Sequence, residues 1–501
     1  MEPKLYELKT RLLEISDLES AAALLSWDQS TYMPAGGAEA RARQLATLGL
    51  IAHEKAIDPA IGNLLEDLKS YETSLPEDSD DACLISIARH DYEKAIKVPP
   101  LFTAQMYAHA SQTYDVWSKA RPANDFASVL PYLEKTLELS RQFAEFFPGY
   151  EHVADPLIDF ADRGLKTTEV QSIFANLRSH LVPIVESITA APVADDSCLR
   201  RCFPEEKQLA FGTEVIKRLG YDFERGRCDK TPHPFTTKFS LGDVRITTRV
   251  RKDYLGEALF STIHEAGHAL YEQGIHSDYD GTPLGSGTSM SVHESQSRLW
   301  ENIVGCSRWF WSYFYPEIQR IFHDQLGSVS FETFYRAINK VERSFIRTDA
   351  DEVTYNLHVM MRFDLELDLL EGRLAVRDLP EAWRERFKAD LGIMPPDDRD
   401  GVLQDIHWFA GVIGGAFQGY SLGNVLGAQF FAAALKARPE ICGEIEQGGF
   451  DTLRNWLTEN VYRHGRKYTT TELVKRVTGG PMSIEPYIQR LRDKYGELYS
   501  L

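Results

Sequence analysis

Residues 264–268 read His264-Glu265-Ala266-Gly267-His268, a spacing that can hold a divalent metal and a base side by side. Histidines four residues apart on a helix share one face, so both imidazoles can reach one ion at about 2.0–2.1 Å. Glu265 is offset by one residue. It cannot easily share the ion as a ligand, but it can reach a water there, where hydrolysis needs a general base. A catalytic zinc takes a third protein ligand and keeps one position open. The metzincin pattern would continue with glycine and then histidine; Tyr271 and Gly274 stand at those positions, so that class fails. His276 lies past the expected helix end. Glu294, within His293-Glu294-Ser295-Gln296, is the better third ligand. A lone helical glutamate is normally solvated, but two histidines needing a partner reverse that expectation. Glu301 is placed to hold a ligand histidine from behind.

These residues need elements to carry them. Leu255, Leu259, Ile263, Ala266 and Leu270 form an apolar stripe at helical spacing, and Gly274 is a plausible terminator. The run from Val292 to Cys306 also reads as helix, and the glycine-rich stretch 277–290 can turn the chain back towards the first helix. Just upstream, Val244, Ile246, Thr248 and Val250 alternate with Arg245, Thr247 and Arg249, the period of a strand. Residues 235–239 can pair with it as a hairpin, and the free edge of such a strand can bind an extended peptide. Most of the remaining sequence has helical periodicity, notably residues 5–25, 38–52, 82–97, 130–147 and 170–190. Gly411, Gly415, Gly419, Gly423 and Gly427 recur every four residues, which in a helix would make a groove free of side chains for close packing.

The 501 residues carry a formal net charge of −19, a balance that disfavours nucleic acid and anionic membranes as partners. The charge-free segment 409–435 is long enough to span a bilayer. Its Gln418, Tyr420, Ser421, Asn424 and Gln429 favour a buried helix of a soluble protein. The six cysteines are too sparse for a disulfide scaffold and read as thiols in a reducing compartment. No apolar signal core opens the chain, so a cytoplasmic location is expected.

Taken together, the chain resembles the carboxypeptidase Taq family of zinc metallocarboxypeptidases. The resemblance rests on six motifs in order: His233-Pro234-Phe235, Asp243-Val244-Arg245-Ile246-Thr247, the zinc motif, His293-Glu294-Ser295-Gln296, Ile346-Arg347-Thr348-Asp349-Ala350-Asp351, and Gly401-Val402-Leu403-Gln404-Asp405-Ile406-His407-Trp408. Leu25-Ser26-Trp27-Asp28 matches too. The resemblance implies a mainly α fold with a deep central groove and a small β element beside the zinc-motif helix. It is read as one catalytic domain over 1–501, allowing a helical N-terminal subregion over 1–200. It further implies a homodimer that removes single residues from the free C-termini of peptides with broad specificity. The ligands would be His264, His268 and Glu294, holding one Zn2+ per subunit that Co2+ can replace, with Glu265 as the base. His407 and Tyr420 would donate hydrogen bonds to the oxyanion. Arg347 would take the substrate carboxylate through its fork, with His233 and Arg245 as weaker substrate contacts. Glu301, Asp351, Gln404 and Asp405 would support these groups. An endo-acting zinc oligopeptidase and a non-enzymatic metal-binding helical protein are the competing readings.

Overall fold

Apolar residues at helical spacing become helices along most of the chain in the computed structural model, which describes residues 2–501. The expected helices appear as Pro3–Thr31, Ala38–Ala56, Asp80–Ala95, Phe126–Glu145 and Thr167–Ala190. Several start where local chemistry directs: Pro59 follows the capping Asp58, Ser79 caps Asp80–Ala95, and Thr469 with Glu472 closes a reciprocal capping box.

The chain forms two compact units, each assembled from three stretches. The first comprises Met1–Ile96, Asp196–Ile338 and Phe430–Pro481; the second comprises Lys97–Asp195, Asn339–Gln429 and Met482–Leu501. Residues 1–200 are therefore divided between them.

In the first unit, one apolar cluster joins Leu5, Leu8, Ile61, Leu64, Leu84 and Ile85 of the N-terminal helices to Leu241, Ile275, Tyr279 and Leu284. The last three lie in the loop after the helix Leu255–Gln273, so burial of the N-terminal helices also holds that loop. Beside it lies the expected small sheet, ordered β1-β3-β2, with β1 Cys228–Lys230, β2 Thr236–Ser240 and β3 Asp243–Thr248. β2 and β3 pair antiparallel, with a register shift between Lys238 and Ser240. β1 pairs parallel to β3; three residues are too short for any alternation to reveal it.

In the second unit, Tyr355–Leu370 is buried on nearly every side. Its Asn356 donates to Tyr487 in the helix Glu485–Tyr499, whose Arg490 and Lys494 close on the buried Glu352. The glycine series departs from the sequence expectation. Only Gly419, Gly423 and Gly427 lie in the helix Phe417–Ala437. Gly411 ends the short helix His407–Ala410 with non-helical backbone angles, and Gly415 has φ +90. A Cβ on Gly415 would sit 2.5 Å from the Leu157 carbonyl oxygen, so left-handed backbone and close approach explain that glycine. The charge-free segment is thereby broken. No described helix is long and apolar enough to cross a membrane, and the cysteines form no disulfide among the described residues.

Candidate metal centre

The helix Leu255–Gln273 buries its apolar stripe and presents His264 and His268 on a shared face, each side chain 17% exposed. Ser289 caps the next helix, Met290–Arg298, by accepting from the Val292 amide. The two helices can cross closely because residue 267 is glycine. A Cβ there would lie 2.7 Å from both the Gln296 carbonyl oxygen and the Ser297 Cα, contacts that no side-chain rotation relieves. This crossing delivers Glu294 to the histidine pair. Its Oε2 lies 3.7 Å from His264 Nε2 and 3.4 Å from His268 Nε2. One ligand atom from each of the three residues falls within 4.8 Å of the others. The second helix then widens into the π-helix Leu299–Gly305, a rare form that often marks functional sites.

Each candidate ligand is held from behind. His264 Nδ1 meets Glu301 Oε2 at 2.8 Å, and Arg298 donates to both Glu301 and Glu294. His268 Nδ1 meets His293 Nδ1 at 2.6 Å, and His293 Nε2 meets Glu272 Oε1 at 2.8 Å. Lys238 donates to the other Glu272 oxygen at 2.8 Å. Two nitrogens and one carboxylate oxygen, with the histidines partly open to solvent, suit a zinc ion that keeps one position free. Glu265 is 7% exposed. Thr236 Oγ1 donates to its Oε2 at 2.7 Å and also to its backbone carbonyl.

Electrostatics separate the two candidate ligand histidines. Burial disfavours charge on His264, but Glu294 and Glu301 outweigh it and push the ring up to about 9. Burial, with the neighbouring His293 and His264, pulls His268 down to about 4 against the opposing pull of Glu294. Burial raises the Glu265 carboxyl, partly countered by His264 and Thr236. Glu272 goes the other way: His293 and Lys238 overcome its burial and hold it at about 2.

Thr236, Lys238, Gly267, Glu272, His293 and Arg298 carry no assigned role in the sequence reading. Glu272 was the most legible of them, since it lies four residues beyond His268 on the same face. The others depend on which elements meet in space.

Most of the remaining expected site residues have settled partners. Arg245 is bonded at two points to Asp243 (2.8 and 2.7 Å), with its guanidinium 4.5 Å from the Trp27 ring centroid and 4.9 Å from that of Phe239. His233 is exposed on the turn before β2. In the second unit, Arg347 pairs with Asp405 through Nε (2.6 Å) and Nη2 (2.9 Å) and donates to Tyr355 through Nη1. Its ion-pair partner is Asp405, not the neighbouring Asp349 or Asp351. Gln404 accepts from the Arg347 amide, so Gln404 and Asp405 both fix this arginine. His407 Nε2 and Tyr420 OH are bonded to each other at 3.0 Å. Asp351 accepts from the amides of Glu342, Val353 and Thr354 and organises the backbone ahead of Tyr355–Leu370.

Comparison with known proteins places the chain in a family. The family profile "Carboxypeptidase Taq (M32) metallopeptidase" matches residues 7–495. The chain is 40% identical to Thermostable carboxypeptidase 1 of Thermus thermophilus, over 97% of each chain. It is 36% identical to Carboxypeptidase 1 of Bacillus subtilis, over 98% of this chain and 97% of that one. The crystal structure of the M32 carboxypeptidase from Deinococcus radiodurans R1 superposes with a TM-score of 0.97 at 49% identity, covering 100% of both chains. With a two-histidine, one-carboxylate centre in a chain matched along nearly its whole length, the protein belongs to the carboxypeptidase Taq (M32) family and is a metallocarboxypeptidase, a hydrolase acting on peptide bonds.

Proposed function

We propose that the protein is a zinc carboxypeptidase of broad specificity that removes single residues from peptides with a free C-terminus. The observation that carries this reading is the convergence of His264, His268 and Glu294 on one point, with Glu265 beside them. His264, His268 and Glu294 would hold a divalent cation there, zinc or cobalt in its place, which would supply Lewis-acid polarisation of the scissile carbonyl and a more acidic water. Glu265 takes the proton of the attacking water at its carboxylate and returns it to the leaving amine. Its burial and raised pKa suit a group that must hold that proton between the two steps.

The free edge of β2 can take the substrate backbone as an added strand, with His233 at its start. Arg347 is assigned to the substrate's terminal carboxylate, because Asp405 and Tyr355 occupy only part of its fork and fix its orientation. Tyr420 is assigned as oxyanion donor. Its hydroxyl is held by a hydrogen bond with His407 Nε2 at 3.0 Å, which orients it for that role. A homodimer and a cytoplasmic location are proposed on the resemblance alone, and gel filtration tests the former.

Mass spectrometry of one peptide, with a free or an amidated C-terminus, tests the reaction in zinc-loaded protein. A ladder shortening from the free C-terminus, with the amide largely spared, is expected. Internal cleavage of both forms would establish an endopeptidase instead.

A further inference from the structure

On its Nδ1 side His268 meets a second imidazole before any charge, whereas His264 Nδ1 meets a carboxylate directly. This difference fixes where protons must sit. If His268 Nε2 is to offer a lone pair to a cation, the neutral ring carries its proton on Nδ1. That proton points at His293 Nδ1, 2.6 Å away, which must then be an acceptor. His293 in turn carries its proton on Nε2 and donates it to Glu272 Oε1 at 2.8 Å. Lys238 completes the row by donating to Glu272 Oε2. Every donor faces an acceptor in this arrangement alone; a proton on His293 Nδ1 would oppose the one on His268.

The surroundings are built for it. Glu272 is 6% exposed, and the Gly287 amide also donates to its Oε1 at 3.3 Å. A Cβ at Gly287 would lie 2.6 Å from His293 Cδ2 and 3.0 Å from the Tyr271 ring, so the glycine makes room for the imidazole. Thr236 and Lys238 are alternate residues of β2 and so share a face. The first holds the base Glu265 and the second ends the row behind His268.

We propose that His293 is a positioning residue that locks the ligand tautomer of His268, with Glu272 and Lys238 locking His293 in turn. The proposal rests on the metal assignment above, and the experiment separates the two. Zinc affinity is measured by chelator competition in wild type, His293→Leu and His293→Asn, with melting temperatures in parallel. Leucine keeps the branched shape without an acceptor; asparagine can place an oxygen where Nδ1 sat. Outer partners of this kind are worth about 10–100-fold in metal affinity. His293→Leu is expected to lose that much and His293→Asn to recover most of it. Equal affinity in His293→Leu and wild type, or an asparagine variant as weak as leucine, overturns the lock and leaves the metal site standing. Wild type that takes up no zinc overturns both. Should His293→Leu fail to fold, 15N spectra of zinc-loaded, histidine-labelled wild type decide, with the His293 signals identified by their loss in His293→Asn. A protonated Nε2 and bare Nδ1 on His293 are expected; a proton on Nδ1 overturns the lock.

Discussion

Glu265 and Glu366 are both buried carboxyls, yet they make different demands on pH. Glu265 lies beside the ligand cluster without belonging to it. Glu265→Gln should therefore retain zinc, by metal analysis, while kcat falls by about 10²–10⁴; full activity with metal bound would refute the base assignment. Glu366, 2% exposed, accepts from Trp408 Nε1 at 2.6 Å. Burial raises it from 4.5 to about 7 against the opposing effects of Trp408 and Arg362. An acid with its folded pKa raised in this way favours the fold when protonated. Its contribution is whole below about 4.5 and is lost as pH rises through about 7. The loss is on the order of 3 kcal/mol. Glu366→Gln, permanently neutral, should flatten the decline in melting temperature between pH 5 and pH 8; an unchanged slope would show that Glu366 does not titrate there. At this scale the sequence revealed the residues whose chemistry depends on local spacing. His264, Glu265 and His268 announce themselves within five positions, whereas His293 acquires its role only when a second helix brings it to His268.

The helices Leu255–Gln273 and Met290–Arg298 matter together, because the third ligand arrives only through their close crossing at Gly267. Gly267→Ala should push Gln296 and Ser297 outward. An overpacking cost of about 1–3 kcal/mol is expected, with weaker zinc binding as Glu294 withdraws from the histidines. Calorimetric melting and chelator competition check both, and wild-type values in each would show that the crossing tolerates a methyl group. Apolar stripes made these helices legible beforehand, and alternation revealed the β2–β3 pair. The glycine series misled because a four-residue interval looks the same in a helix as in a helix preceded by a turn. Gly415 is needed for its positive φ and for the approach of Leu157, neither of which leaves a mark in periodicity.

Across the whole molecule, the proposed metal ligands and the side chains behind them all belong to the first unit. A ligand present at about 1,000 times its Kd stabilises the state that binds it by about 4 kcal/mol. Chelation should therefore lower the melting temperature and speed hydrogen exchange most within residues 255–305. Unchanged exchange there would argue that the cation is not bound between these helices. The division into two interleaved units was not legible, because each draws on three stretches whose composition does not differ. Anomalous diffraction at the zinc edge from zinc-loaded crystals tests the central claim most directly. The account predicts one peak per chain at about 2.0–2.2 Å from His264 Nε2, His268 Nε2 and a Glu294 carboxylate oxygen. A peak at other side chains, or Glu294 standing outside coordinating distance of the peak, would contradict it.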